Sequence, residues 1–157
     1  MGTDRRQGEY ARSRAFHFPP AERRALVQAL ADALAAYPDV AFAYVHGSFA
    51  RQGPFRDVDV AIHLAPGAEA RGERAVIMGQ EIGDSISRTL PLDVVPPFDV
   101  RVLNQAPLGF TYQVLLRGRL VFSRDESARV GWVARVVERY LDLQPLRRQA
   151  LKEAMRG

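Results

Sequence analysis

At 157 residues without a single cysteine, the chain has the length of one domain with a genuine core, and disulfides, thiolate zinc sites and cysteine nucleophiles are excluded. Its 22 lysines and arginines against 18 acidic residues leave a formal charge of +4, which favours a polyanionic ligand or an acidic partner without choosing among nucleotides, RNA and proteins. No apolar run reaches membrane length, and Met1 to Arg14 is polar and arginine-rich rather than signal-like, so a cytoplasmic protein that does not enter a membrane is expected.

Residues 1–18 show no hydrophobic period and carry Arg5, Arg6, Arg12 and Arg14, which predicts a poorly ordered leader ahead of a single domain over 19–157. A nucleic-acid-binding arm is the alternative, but a solvated tail is the simpler reading. Leu26, Leu30 and Leu34 recur at helical spacing within Ala21 to Ala36, a helix stopped by Pro38. Val40 to His46 is a nearly continuous apolar run, predicting a first strand covered on both faces. Gly47 and Ser48 turn the chain into a short helical turn, and Asp57 to Leu64 returns as a second strand. Glu73 to Leu90 carries Val76, Ile77, Ile82, Ile86 and Leu90 with helical period. Pro91, Pro96 and Pro97 break the chain before a third strand, Phe98 to Asn104. A short helix over Pro107 to Arg117, a strand over Arg119 to Phe122, a helix over Glu126 to Leu143 and a separate basic helix over Pro145 to Met155 complete the chain. This order predicts an α/β (α+β) domain with helices covering a small mixed sheet.

The segment from Gly47 to Asp59, G-S-F-A-R-Q-G-P-F-R-D-V-D, concentrates the chemistry. Side chains alternate along a strand, so Asp57 and Asp59 share one face, about 7 Å apart, while Val58, Val60 and Ile62 take the other. Two like charges side by side on a core strand are costly unless a cation lies between them, and hard oxygen donors suit magnesium. The Gly-Ser turn offers a compact backbone, N–H donors and a hydroxyl, the means by which a triphosphate is held. Two further carboxylates follow the second long helix, Asp93 and Asp99, and Asp99 lies in the longer run free of proline. The scattered histidines His17, His46 and His63 make no transition-metal cluster. Trp132, Tyr112 and Tyr140 read as core or interface residues, and the arginines near the C-terminus as a solvated face.

The strings H-G-S-F-A-R and F-R-D-V-D-V-A-I resemble the signature of the polymerase β-like nucleotidyltransferases, in particular the minimal nucleotidyltransferases, whose hallmark is G-S, a spacer and D-x-D. F-D-V-R-V-L-N-Q-A-P, G-R-L-V-F and Y-L-D-L resemble the MntA-type antitoxins paired with HEPN toxins. The eight-residue spacer between Ser48 and Asp57 is shorter than is usual in that family, and Arg56 stands where serine is common. The resemblance implies a palm-type core in which Asp57, Asp59 and Asp99 bind metal and catalyse, Asp99 being five residues before Asn104 as the family's third aspartate is. It further implies that Gly47 and Ser48 hold the nucleotide phosphates, with Arg51 and Arg56 as clamps, and that two Mg2+ ions and ATP take part.

The resulting expectation is an adenylyltransferase that acts as an antitoxin, modifying a tyrosine of a HEPN-type ribonuclease toxin. Direct nucleic-acid binding is not expected. Two other readings remain beside it: neutralisation of the partner by occlusion without transfer, and nucleotidyl transfer to a small molecule such as an antibiotic or to an RNA end.

Overall fold

A computed structural model of the protein describes residues 14–68 and 72–156. In chain order these form helix α1 (Pro20–Ala35), strand β1 (Val40–His46), the short helix α2 (Gly47–Ala50), β2 (Val58–Leu64), α3 (Gly72–Thr89), β3 (Phe98–Val102), α4 (Leu108–Arg117), β4 (Arg119–Ser123) and the long α5 (Glu126–Arg156). The strands form one sheet in the order β3-β2-β1-β4. β1 pairs antiparallel with β2 and β4, whereas β2 and β3 run parallel, because α3 carries the chain back across the sheet between them. The mixed α/β architecture is the one expected, with boundaries moved by a residue or two.

Both faces of the sheet are covered, as the continuous apolar runs required. On one face Leu26, Leu30 and Leu34 of α1 and Met78, Ile82 and Ile86 of α3 pack against Val60, Ile62 and Leu64. All of these are essentially inaccessible to water, and each large aliphatic side chain so buried is worth about 1.5–3 kcal/mol. On the other face Phe42, Tyr44 and Ala61 meet Leu103, Val114 and Trp132. The sheet is thus filled from both sides, and its polar residues collect where β1, β2 and β3 end nearest α2.

Two glue points fix β3 beside β2. The side chain of Asn104 donates to the Leu64 carbonyl at 2.9 Å and accepts from the Leu64 N–H at 2.8 Å, continuing the ladder where the strand itself stops. Gly79 of α3 lets the helix lie against β3, since a methyl group there would strike the Phe98 carbonyl oxygen at 2.5 Å.

Two expectations are corrected. The break at Pro145 does not occur, for α5 runs unbroken through it. A proline forfeits one hydrogen bond and crowds the carbonyl four residues earlier, but here that carbonyl belongs to the exposed Leu141, where water can satisfy it. Packed structure also begins earlier than residue 19: Phe16 is 7% exposed and forms a β-bridge with Phe55. Residues 1–13 of the expected leader lie outside the described residues. No helix among the described residues is long and apolar enough to cross a membrane.

Candidate active site

The strand register assembles the site. Asp59 lies opposite His46 on β1 and opposite Asp99 on β3, so one residue of each of three adjacent strands shares a row across the sheet, with neighbours about 4.8 Å apart. Asp57 stands in the bend just ahead of β2, whose first residue, Val58, donates its N–H to the Pro97 carbonyl at 2.9 Å. The strand therefore starts one residue later than expected, although Asp57 keeps its place two residues before Asp59. Asp93, the rival to Asp99, is exposed in the connection between α3 and β3, off the sheet.

Above this row sits the Gly-Ser turn. Gly47 has φ +67°, the left-handed region that glycine enters without strain. A Cβ at Gly47 would collide with Oδ2 of Asp59. The turn and the D-x-D strand are thus in direct contact, which explains why G-S and D-x-D go together: only a bare backbone lets the carboxylate reach the turn. Ser48 follows, half-buried, within α2.

The electrostatics mark the same point. Asp59 has its pKa pushed up to about 6, first by burial and then by the negative charges of Asp57 and Asp99, against the opposing pull of Arg101. Asp99 has a cation of its own, Arg101, at 3.5 Å, whereas no ion pair reaches Asp57 or Asp59 among the described residues. The Arg101 guanidinium lies 5.6 Å from the centre of the Phe110 ring, and His46 meets the same ring edge-to-face at 5.5 Å. Burial and Arg101 lower the His46 pKa, and its Nε2 is enclosed without a hydrogen-bond partner.

Among the described residues, no three acidic or imidazole side chains already stand at metal-coordinating distance from one another. The donors nevertheless fit a hard divalent cation. They are all carboxylates, and burial with two like-charged neighbours makes the ionised form of the innermost, Asp59, costly without a cation.

The eight residues between Ser48 and Asp57 are folded inward rather than looped out. Phe49 and Phe55 are buried in contact with each other, and Phe16 and Phe18 close the cluster around Phe55. Arg23 of α1 sits over the Phe49 and Phe55 rings at 5.2 and 5.1 Å. Its guanidinium donates to the carbonyls of Phe18 at 3.1 Å, Phe49 at 2.8 Å and Gly53. A short spacer thereby becomes a clamped one, with Gln52 taking the left-handed φ of 63° that the tight path demands.

Of the two expected clamps, Arg56 is exposed beside Asp57, and Arg51 is exposed at the C-terminal end of α2. Arg23, Arg101 and Phe110 went unmarked in the sequence. Arg101 had a local signal, since it shares a strand face with Asp99 two residues away. Arg23 had none, because its partners lie 26 and 30 residues downstream.

Two cavities meet at Arg56 and Asp57. One, about 370 Å³, is bounded by Ala15, Ser48, Pro54 and Phe55. The other, about 700 Å³, runs along α3 and the proline-rich connection to Asp99.

A β3-β2-β1-β4 sheet between helices, with a Gly-Ser turn seated on a carboxylate of its central strand, is the layout of a nucleotidyltransferase palm. The sequence matches the family described as Polymerase beta, Nucleotidyltransferase over residues 28–127, and the chain belongs to that family. A comparison with curated proteins gave no match. Among solved structures, the chain is similar to one in a complex of tri-AMPylated Shewanella oneidensis HEPN toxin with MNT antitoxin, with TM-score 0.59 and 17% identity over 85% of this chain and 98% of that one. It is similar to a chain of the toxin-antitoxin MntA-HepT, with TM-score 0.58 and 15% identity over 87% and 99%. A toxin-antitoxin structure with AMP-PNP gives TM-score 0.56 and 18% identity over 85% and 98%.

Proposed function

We propose that the chain is a magnesium-dependent adenylyltransferase acting as an antitoxin, which transfers AMP from ATP to a tyrosine hydroxyl of a HEPN-type ribonuclease toxin. The observation that carries the transfer chemistry is the contact between the Gly47 turn and Asp59, with Asp57 and Asp99 beside it. The nucleotide and the partner are supported by likeness to chains from structures described as a tri-AMPylated HEPN toxin complex and as a toxin-antitoxin with AMP-PNP, each matched over 98% of its length.

Ser48 would donate its hydroxyl to a phosphate oxygen, and the backbone N–H groups opening α2 have no intrahelical acceptor to compete for them. Arg56, at the junction of the two cavities, would steady the triphosphate. Asp57, Asp59 and Asp99 would hold magnesium, which when bound neutralises phosphate charge and acidifies the acceptor hydroxyl. Asp99, with 46% of its side chain exposed, is the carboxylate open enough to take the acceptor's proton. The tyrosine oxygen bonds to the α-phosphorus, the bond to the pyrophosphate oxygen breaks, and pyrophosphate leaves. Arg101 would release Asp99 as the nucleotide complex forms. An AMP group on tyrosine adds bulk and negative charge where RNA phosphate must bind, which silences a ribonuclease.

Position-specific labelling tests this. Incubation with a HEPN-type partner and magnesium should move label from α-labelled ATP, and none from γ-labelled ATP, onto the partner. Transfer of γ-label would replace adenylylation by phosphorylation; transfer of neither, with the partner still inhibited, would favour occlusion.

A further inference from the structure

α4 and α5 cover the face of the sheet that carries Asp59 and Asp99. Alternation and register put Phe42, Tyr44 and His46 on that face with His63, Ala61 and Asp59. Trp132 of α5 packs on Phe42 and His63 at 5.2 and 4.9 Å between ring centres, whereas Phe110 of α4 packs on His46 beside Asp59. Trp132 thus marks the far end of the strands and Phe110 the catalytic end. α5 runs back along α4 from the first to the second: Tyr140 stacks on Tyr112 at 3.7 Å, and the Arg147 guanidinium lies against Gly109 in the first turn of α4.

Past Arg147 the helix continues to Arg156, about 13 Å at about 1.5 Å per residue, and every residue from Pro145 to Arg156 is exposed. The overhang therefore projects beyond the catalytic end on the carboxylate side. It is not polar all round. The face that α5 turns to the domain at Val133, Val136 and Tyr140 recurs in steps of three and four residues at Leu143, Arg147, Leu151 and Ala154. In the overhang that face has lost its cover: Leu151 is 62% accessible, and Met155 next to it 79%. Arg148 and Lys152 border the stripe, and neither they nor Arg147 are in an ion pair among the described residues.

We propose that this overhang is the docking rail for a protein acceptor, and that it takes a helical segment with an apolar face and an acidic margin. This deepens the transferase reading and rests on it for the identity of the partner, while docking itself does not. Position selects the acceptor, because a macromolecule that reaches the Asp59–Asp99 row from the catalytic end meets the overhang first. Chemistry selects a protein. RNA or a small acceptor would leave the stripe uncovered, whereas an amphipathic helix lays its own apolar face on residues at this spacing. The bordering cations favour an acidic margin, and a two-fold pair of copies would instead bring two sets of like charges to one seam. Leu151 and Met155 are docking residues here and take no part in the transfer.

The test uses the full chain and a separately purified, fluorescein-labelled HEPN-type partner, with anisotropy read in AMP-PNP and magnesium. AMP transfer to the same partner is read separately with ATP. Leu151→Gln with Met155→Gln keeps good helix formers on an exposed stretch, so the fold should be retained. It should weaken the complex by about tenfold or more and raise the KM for the partner to match, with kcat and AMP-PNP binding unchanged, a split that general destabilisation would not give. Arg148→Glu with Lys152→Glu should weaken the complex at low salt and have little effect at about 1 M salt. Partner affinity unaltered by both double variants, or no binding of the partner by wild type, would overturn the proposal. So would a wild-type dimer in light scattering that Leu151→Gln with Met155→Gln dissolves, which gives the stripe to a second copy. Loss of binding to labelled oligouridine, with partner binding intact, would give it to RNA and overturn the proposal equally. Partner binding that depends on Leu151 and Met155, but without transfer of AMP, upholds the docking rail and instead overturns the transferase reading.

Discussion

Replacing Arg23 by alanine should loosen the phosphate-binding turn without touching any residue of the carboxylate row. The guanidinium donates three hydrogen bonds to backbone carbonyls and lies over two phenylalanine rings. Each such bond contributes about 0.5–1.5 kcal/mol net, and each ring contact about 0.5–1 kcal/mol. Because the cluster is partly hydrated, the lower halves of those ranges apply, which gives about 3 kcal/mol. For a domain of this size that corresponds to a Tm lowered by about 6–12 °C. Phe49 and Gly53 are bonded directly, so the change falls on the segment carrying Ser48. A shift of about 1 Å there costs on the order of a hundredfold in rate. Arg23→Lys keeps the charge but can satisfy only part of the fork, and should recover less than half of either loss. Urea unfolding with matched transfer assays reads both numbers. If Arg23→Ala unfolds within about 0.5 kcal/mol of wild type and transfers AMP at an undiminished rate, the spacer is not clamped as described.

Two further substitutions probe the turn and the row beneath it. Gly47→Ala places a methyl group against Asp59 and forces alanine to the left-handed φ of 67°; AMP-PNP binding should be lost and stability should fall by about 1–3 kcal/mol, measured by calorimetry and thermal unfolding. Asp59→Asn should stabilise the metal-free protein at pH 7.5. The folded-state pKa is raised from 3.8 to about 6, so the folded protein holds the proton more tightly than the unfolded chain, and wild-type stability is lost as pH rises from about 4 through 6. Discounted for partial exposure, the penalty above pH 6 is about 1–2 kcal/mol. It should vanish in Asp59→Asn and be offset by magnesium in wild type at pH 7.5 more than at pH 5, where the proton competes. A metal-free Asp59→Asn less stable than wild type at pH 7.5 would refute the assignment of strain to that charge.

What the sequence made legible was local. Alternation set Asp59 on the polar face of β2, the run free of proline put Asp99 in β3, and leucine spacing defined α1, because period and breaker signals act over a few residues. The contacts that decide how the site is held act over longer distances. Nothing near Arg23 indicates that it will reach Phe49 and Gly53, and nothing near Phe16 indicates its bridge to Phe55. Phe49 and Phe55 of the spacer belong to no periodic apolar run, yet they are buried against each other and hold the short spacer folded inward. Pro145 misled in the other direction, since its breaking signal is real but an exposed turn can absorb it.

In the function proposed for it, this chain inactivates a partner by adding AMP through Asp57, Asp59 and Asp99. Intact-mass spectrometry of a co-expressed HEPN-type partner, incubated with ATP and magnesium, tests it directly against the double variant Asp57→Ala with Asp59→Ala. The partner should gain mass in whole steps of one AMP with wild type and none with the double variant. A partner that gains no mass, yet is inhibited equally by both proteins, would contradict it.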